Sequence, residues 1–222
     1  MIANHIHHAL EQVRDLQQKI LEKQRFKGYS GRARALCGVA ALIAAFVMGS
    51  PFFDPPAGYV NRTYALGWGF VALFGVMINF GALIHWFMFD PTVKRDIRRL
   101  KPTLDALPAI IVGAVLTIIF LHNNLHHYLF GTWMCLFGLS NLASRHVLPQ
   151  RIWMVGAYYI LCGTICLLYS PNIAFSNPWP MGIVFFIGEW AGGIILHFGD
   201  TRHLTISDFL SIFNIKETKH AQ

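Results

Sequence analysis

Apolar residues dominate six long stretches of the chain, at roughly 35 to 50, 64 to 89, 108 to 121, 128 to 144, 152 to 169 and 180 to 198. A helix needs about 20 mainly apolar residues to cross a hydrocarbon core of ~30 Å. The pattern therefore predicts an all-α, polytopic membrane protein of six transmembrane helices. The first and third stretches are short and need their flanks, or local bilayer thinning, to span. The segments between them read FFDPPAGYVNR, DPTVKRDIRRLKPTLDAL, HNNLHH, RHVLPQR and SPNIAFSNPWP, each with turn formers or charge.

The two ends of the chain follow other patterns. Ile2, Ile6, Ala9, Val13, Leu16 and Ile20 alternate spacings of four and three, the seam of an amphipathic helix over residues 2–21. That seam suits docking on the protein's own membrane domain or pairing in a coiled coil, and both readings stay open. At the other end Leu204, Ile206, Phe209, Leu210, Ile212 and Phe213 predict a short interfacial helix that Ser207 or Asp208 can cap. The predicted divisions are a heptad helix with a basic flank at 1–34, a six-span bundle at 35–198 and an interfacial tail at 199–222.

Charge supplies an orientation. Lys19, Lys23, Arg25, Lys27, Arg32 and Arg34 precede the first span, and Lys94 to Lys101 lie in the second link. With six spans, every one of the 18 Lys and Arg residues except Arg62 falls on the side of the two termini. Basic residues collect on the cytoplasmic side, so both termini are expected there, in a cell's inner membrane. Five spans would break the agreement.

Composition agrees. The chain is 55% hydrophobic and 13% charged over 222 residues, too little polar surface for a soluble domain of this size. The net charge of +7 reflects the cytoplasmic flanks and gives no nucleic-acid reading. The N-terminus shows no apolar core with a small-residue cleavage site, so no removable signal peptide is expected. Three even-numbered spans contain LFGVMINFGALIH, LFGLSNLASRH and FIGEWAGGIILH, each with a Gly, a polar residue and a closing His. Three helical hairpins fit this pattern, and that layout resembles the HdeD family of acid-resistance membrane proteins; the resemblance is one of layout and carries over no function.

The sharpest chemical feature is Glu189, the one acid near the middle of an apolar stretch. An ionisable group in hydrocarbon costs ~3 kcal/mol or more unless protein, a cavity or a partner surrounds it. At ~1.5 Å per residue, Glu189, Asn79, Thr117 and Tyr159 fall at a similar depth, and Asn141 lies on another inward face with Gly138 and Arg145. Such a layer can bind a small polar solute or pass a proton. The plainer reading is a neutral Glu189 hydrogen-bonded to Asn79 as packing glue. Gly188 and Gly192 form a GxxxG spacing around the acid that would let another backbone approach.

Histidine is the other excess, with 11 in the chain. His85, His146 and His197 close three spans at similar depth and form a candidate metal site, although helix phase turns His85 and His146 away from the polar faces. His122, His126 and His127 form an H-x-x-x-H-H cluster on the outer side, where a pH-sensitive loop or a plain turn is expected. Cys37, Cys135, Cys162 and Cys166 all fall in spans and are read as packing residues. There is no P-loop, dinucleotide fingerprint, G-x-S-x-G or H-E-x-x-H, so energy coupling by the chain's own nucleotide hydrolysis is not expected, and the sequence leaves the cofactor unknown. Two functions follow as expectations: binding or translocation of a small solute or proton around Glu189, or a non-catalytic scaffold or sensor acting through residues 2–21 on a cytoplasmic partner or a second copy. An enzyme is the less favoured class.

Overall fold

The computed structural model describes Val13 and residues 30–89, 107–144, 148–149 and 151–198. Apart from Val13, the heptad helix predicted over residues 2–21 lies outside the described residues, as do most of the basic run, the link at 90–106, Arg145, His146 and the interfacial tail. Among the described residues six α-helices are laid out and no strand is found. They are α1 (Gly31–Met48), α2 (Val60–Phe89), α3 (Leu107–His122), α4 (Leu129–Ala143), α5 (Ile152–Leu168) and α6 (Trp179–Phe198), with 3-10 turns at His126–Tyr128 and Ser170–Asn172.

Each helix overlies one of the apolar stretches. Three segments, Gly31–Met48, Val60–His85 and Trp179–Phe198, are long and apolar enough to cross a membrane, and α3 and α5 are shorter apolar helices. Side chains such as Phe46, Phe70, Ile111, Ile118 and Leu161 face outward on these helices, as lipid contact requires and water would not tolerate. The chain is thus a membrane-embedded helical protein.

Local chemistry fixes several helix ends. Ser30 caps α1, its hydroxyl accepting from the Ala33 amide at 3.3 Å, which starts the helix four residues ahead of the expected boundary at 35. After α3, Asn124 takes a left-handed conformation with φ of 57°, and the Leu125 amide reaches back to the Phe120 carbonyl at 2.8 Å. The α1–α2 turn is closed by the Tyr64 hydroxyl, which donates to the Met48 carbonyl at 2.9 Å.

Two helix pairs pack with their backbones close together. α1 runs antiparallel to α6: a Cβ added to Gly31 would strike the Gly193 carbonyl, one on Gly193 would come 2.7 Å from the Gly31 carbonyl, and Ala45 fills the space beside Gly182. α4 and α5 repeat the device, since a Cβ on Gly138 would lie 2.7 Å from the Gly156 carbonyl and one on Gly163 2.8 Å from the Gly131 carbonyl. In lipid no hydrophobic gain draws helices together, so small residues that allow close dispersion contact carry the association. Neighbour contacts run α2, α1, α6, α5, α4, α3. The first and last chain segments of the bundle, α1 and α6, are thereby joined at its centre. A shared core of Tyr64, Trp68, Phe130, Met134, Phe175 and Met181 closes the end of the bundle where α2, α4 and α6 begin.

Candidate functional site

At the centre of this arrangement Glu189 meets Arg34. α1 carries Arg34 on the same face as Gly38, Ala41 and Ala45, the face that packs on α6, so its side chain enters the α1–α6 seam. The guanidinium Nε donates to both Glu189 oxygens at 3.1 Å, and NH2 donates to Oε1 at 3.0 Å. NH2 also donates to Asn141 Oδ1 on α4 at 2.7 Å, and the Tyr159 hydroxyl on α5 donates to Glu189 Oε1 at 3.1 Å. Four helices therefore supply one polar cluster. All four residues are buried, with Tyr159 fully so.

Each member is itself positioned. Asn141 donates to the Phe137 carbonyl of its own helix at 2.8 Å, which leaves its oxygen turned toward Arg34. Tyr159 stands between Phe137 and Phe185, with ring centroids 4.9 and 5.0 Å away, and Arg34 lies 5.9 Å over the Phe137 ring. That aromatic wall excludes water and places a ring face against the cation. Removing a charge from water costs several kcal/mol per ion, which a paired geometry with further hydrogen bonds offsets. The carboxyl group of Glu189 thus meets the guanidinium of Arg34, where the glue reading expected Asn79.

The GxxxG residues serve this cluster within the chain. A Cβ on Gly192 would sit 2.6 Å from Arg34 Cζ and Nε, and one on Gly188 2.6 Å from Tyr159 Cε2. Gly188 and Gly192 are the slots for the tyrosine and the arginine on either side of Glu189.

Of the other predicted site residues, Asn79 and Thr117 are placed elsewhere. Asn79 donates to the Gly75 carbonyl at 2.9 Å and to Cys37 Sγ at 3.3 Å. Thr117 donates to the Gly113 carbonyl at 2.6 Å and accepts from Trp133 Nε1 at 2.8 Å, tying α3 to α4. Equal depth did not bring them to Glu189, because the main packing of α2 is on α1 and that of α3 on α4. His85 and His197 are exposed, and no group of three metal-ligating side chains occurs among the described residues. His146 lies outside them. The glycines of the apparent repeat also diverge, with Gly75 near Cys37, Gly138 on Gly156 and Gly188 on Tyr159.

Arg34 is the residue that sequence reasoning missed, having been counted as the last of the cytoplasmic basic run. Two signals pointed to it. The stretch beginning at 35 was too short to span, and Arg34 continues the small-residue face of Gly38, Ala41 and Ala45 at helical spacing.

Comparison of the chain with protein-family models, curated proteins and solved structures finds no match. Function is therefore argued from this geometry alone.

Proposed function

We propose that the protein binds or passes a proton or a small solute at the buried layer built on Arg34 and Glu189, with Asn141 and Tyr159 as their hydrogen-bonding partners. In this reading all six helices span, both termini are cytoplasmic and the membrane is the cell's inner membrane, as the distribution of Lys and Arg supports. The observation that carries the proposal is a charged pair held inside apolar helices by residues of four of them. Ionisable residues at such depth are expensive, and membrane proteins retain them chiefly along ion, proton or substrate pathways.

The cluster has two states available to it. With Glu189 ionised, Arg34 is neutralised in place. A proton delivered to Glu189 Oε2 removes the negative charge, while Arg34 keeps its bond to Asn141. Proton uptake is thereby linked to a change in how Arg34 is held across the α1–α6 seam.

Proton flux into vesicles tests this. The parent chain reconstituted in liposomes is expected to dissipate an imposed pH gradient faster than protein-free liposomes. Glu189→Gln and the double variant Arg34→Met/Glu189→Gln, each verified as folded by its melting transition, should match protein-free liposomes. A parent rate no faster than that of empty liposomes would sink the proton reading. Unchanged flux in both variants would move the pathway away from Glu189.

A further inference from the structure

About 15–20 Å along the helices from the ion pair, at the end of the bundle where α2 and α4 begin, lies a second polar site. An open pocket of about 450 Å³ is lined by Asn61, His126, His127, Ser170, Ile173 and Phe175 among others. Ser170 is 1% exposed, and its hydroxyl has no hydrogen-bond partner among the described residues. A buried hydroxyl in that condition is destabilising, and it is the kind of group that a ligand can satisfy.

The chemistry of the lining selects the ligand. No Asp, Glu, Lys or Arg lines the pocket. A metal cation would find no carboxylate, and a phosphate dianion no fixed positive charge. What the wall offers is a set of neutral donors: the Ser170 hydroxyl, the imidazoles and the Asn61 carboxamide, whose Nδ2 lies 3.0 Å from His126 Nε2. α2 and α4 both start beside it, so the positive ends of two helix dipoles lie at this end. The rest of the wall is apolar. Phe175 is buried and backed by Phe130 at 4.7 Å, and His126 stands 6.1 Å from the Phe175 ring.

We propose that this pocket binds a small organic carboxylate, its charged end held by Ser170, Asn61 and the imidazoles and its apolar body against Phe175 and Ile173. The site is separate from the Arg34–Glu189 cluster and does not depend on that cluster's function. Burial, and then the neighbouring His127, hold His126 below its ordinary value of 6.5. A bound carboxylate favours the protonated ring, so binding takes up a proton and tightens as pH falls. The groups facing His126 are His127 in the same turn, Asn61 from α2, and Ser170 and Phe175 from the α5–α6 connection. Of these, the titratable groups are the two histidines.

The test uses the full chain in lipid nanodiscs, titrated calorimetrically with benzoate and with its neutral isostere benzamide, at pH values about one unit below and one unit above 6.5. Saturable benzoate binding is expected, stronger at the lower pH and about tenfold or more stronger than benzamide, the size of one charge-assisted hydrogen bond. Ser170→Ala and His127→Gln, with melting transitions like the parent's, should each weaken it several-fold. Absence of saturable binding at both pH values overturns the proposal. So does benzamide binding as tight as benzoate, or benzoate binding that both variants leave unchanged or that empty nanodiscs reproduce.

Discussion

Arg34 and Glu189 lie 155 positions apart in the chain and touch only because α1 and α6 pack together, so their interaction reports directly on the fold. Removing one member of the pair takes the counter-charge away from a buried ion, which costs about 3–5 kcal/mol, whereas removing both leaves a neutral seam. The expected outcome is that Glu189→Gln and Arg34→Met each lower the melting transition sharply, while the double variant recovers most of the loss. Additive losses in equilibrium unfolding in mixed micelles would show that the charges do not interact. A second residue-scale prediction concerns Gly192. In the parent, Gly192→Ala forces a methyl group onto the held guanidinium and should cost about 1–3 kcal/mol by overpacking. In an Arg34→Ala background the obstacle is gone, and Ala, the better helix former by up to ~1 kcal/mol, should be neutral or stabilising. The same sign in both backgrounds would mean that Gly192 is not the slot for Arg34.

At the scale of the helices, glycine has two roles that the sequence does not separate. Gly138 faces the α5 backbone, but a Cβ on Gly69 of α2 would meet nothing within 4 Å. Gly138→Ala must push α4 from α5 and is expected to cost about 1–3 kcal/mol, while Gly69→Ala should gain up to ~1 kcal/mol from helix propensity. Melting of the two variants side by side decides it, and equal responses would refute the close α4–α5 contact. The existence of all six helices was legible in the sequence, because apolar runs bounded by turn residues leave the backbone no other way to satisfy its hydrogen bonds in lipid. That Glu189, Tyr159 and Asn141 belong to a buried polar cluster was legible for the same reason: polar groups in apolar helices need partners. Which partners was not legible. Depth along a helix follows from residue counting, but the order of helices around the bundle depends on interhelical glycine contacts, and Asn79 and Thr117 were drawn to Glu189 by depth alone. Arg34 was obscured by its neighbours, since a basic run at a span boundary looks continuous until the helix start at Ser30 shows where it divides.

For the whole molecule the open quantity is how many helices cross the membrane. α3, α4 and α5 contain 16, 15 and 17 residues, or about 23–26 Å at ~1.5 Å each, against a core of ~30 Å. The six-span proposal has them cross nonetheless, and their packing is what supports it. α4 and α5 are antiparallel partners, α5 touches α6, and α6 is joined along its length to α1, so a position for α6 across the bilayer carries its neighbours with it. The adjacent 3-10 turns and a locally thinned bilayer can make up the difference. If all six cross, the connections at 49–59, 123–128 and 169–178 share one side, and Leu148 and Pro149 lie on the other. Single cysteines at Asp54, Asn123 and Ser176, in a chain whose Cys37, Cys135, Cys162 and Cys166 are replaced by Ala, should all react with an impermeant maleimide in intact cells. A cysteine at Pro149 should react only after the membrane is opened. If Asp54 and Asn123 labelled from opposite sides, α2 and α3 would not form a pair of crossings. The six-span reading would then fail, together with the inward placement of the basic residues that rests on it.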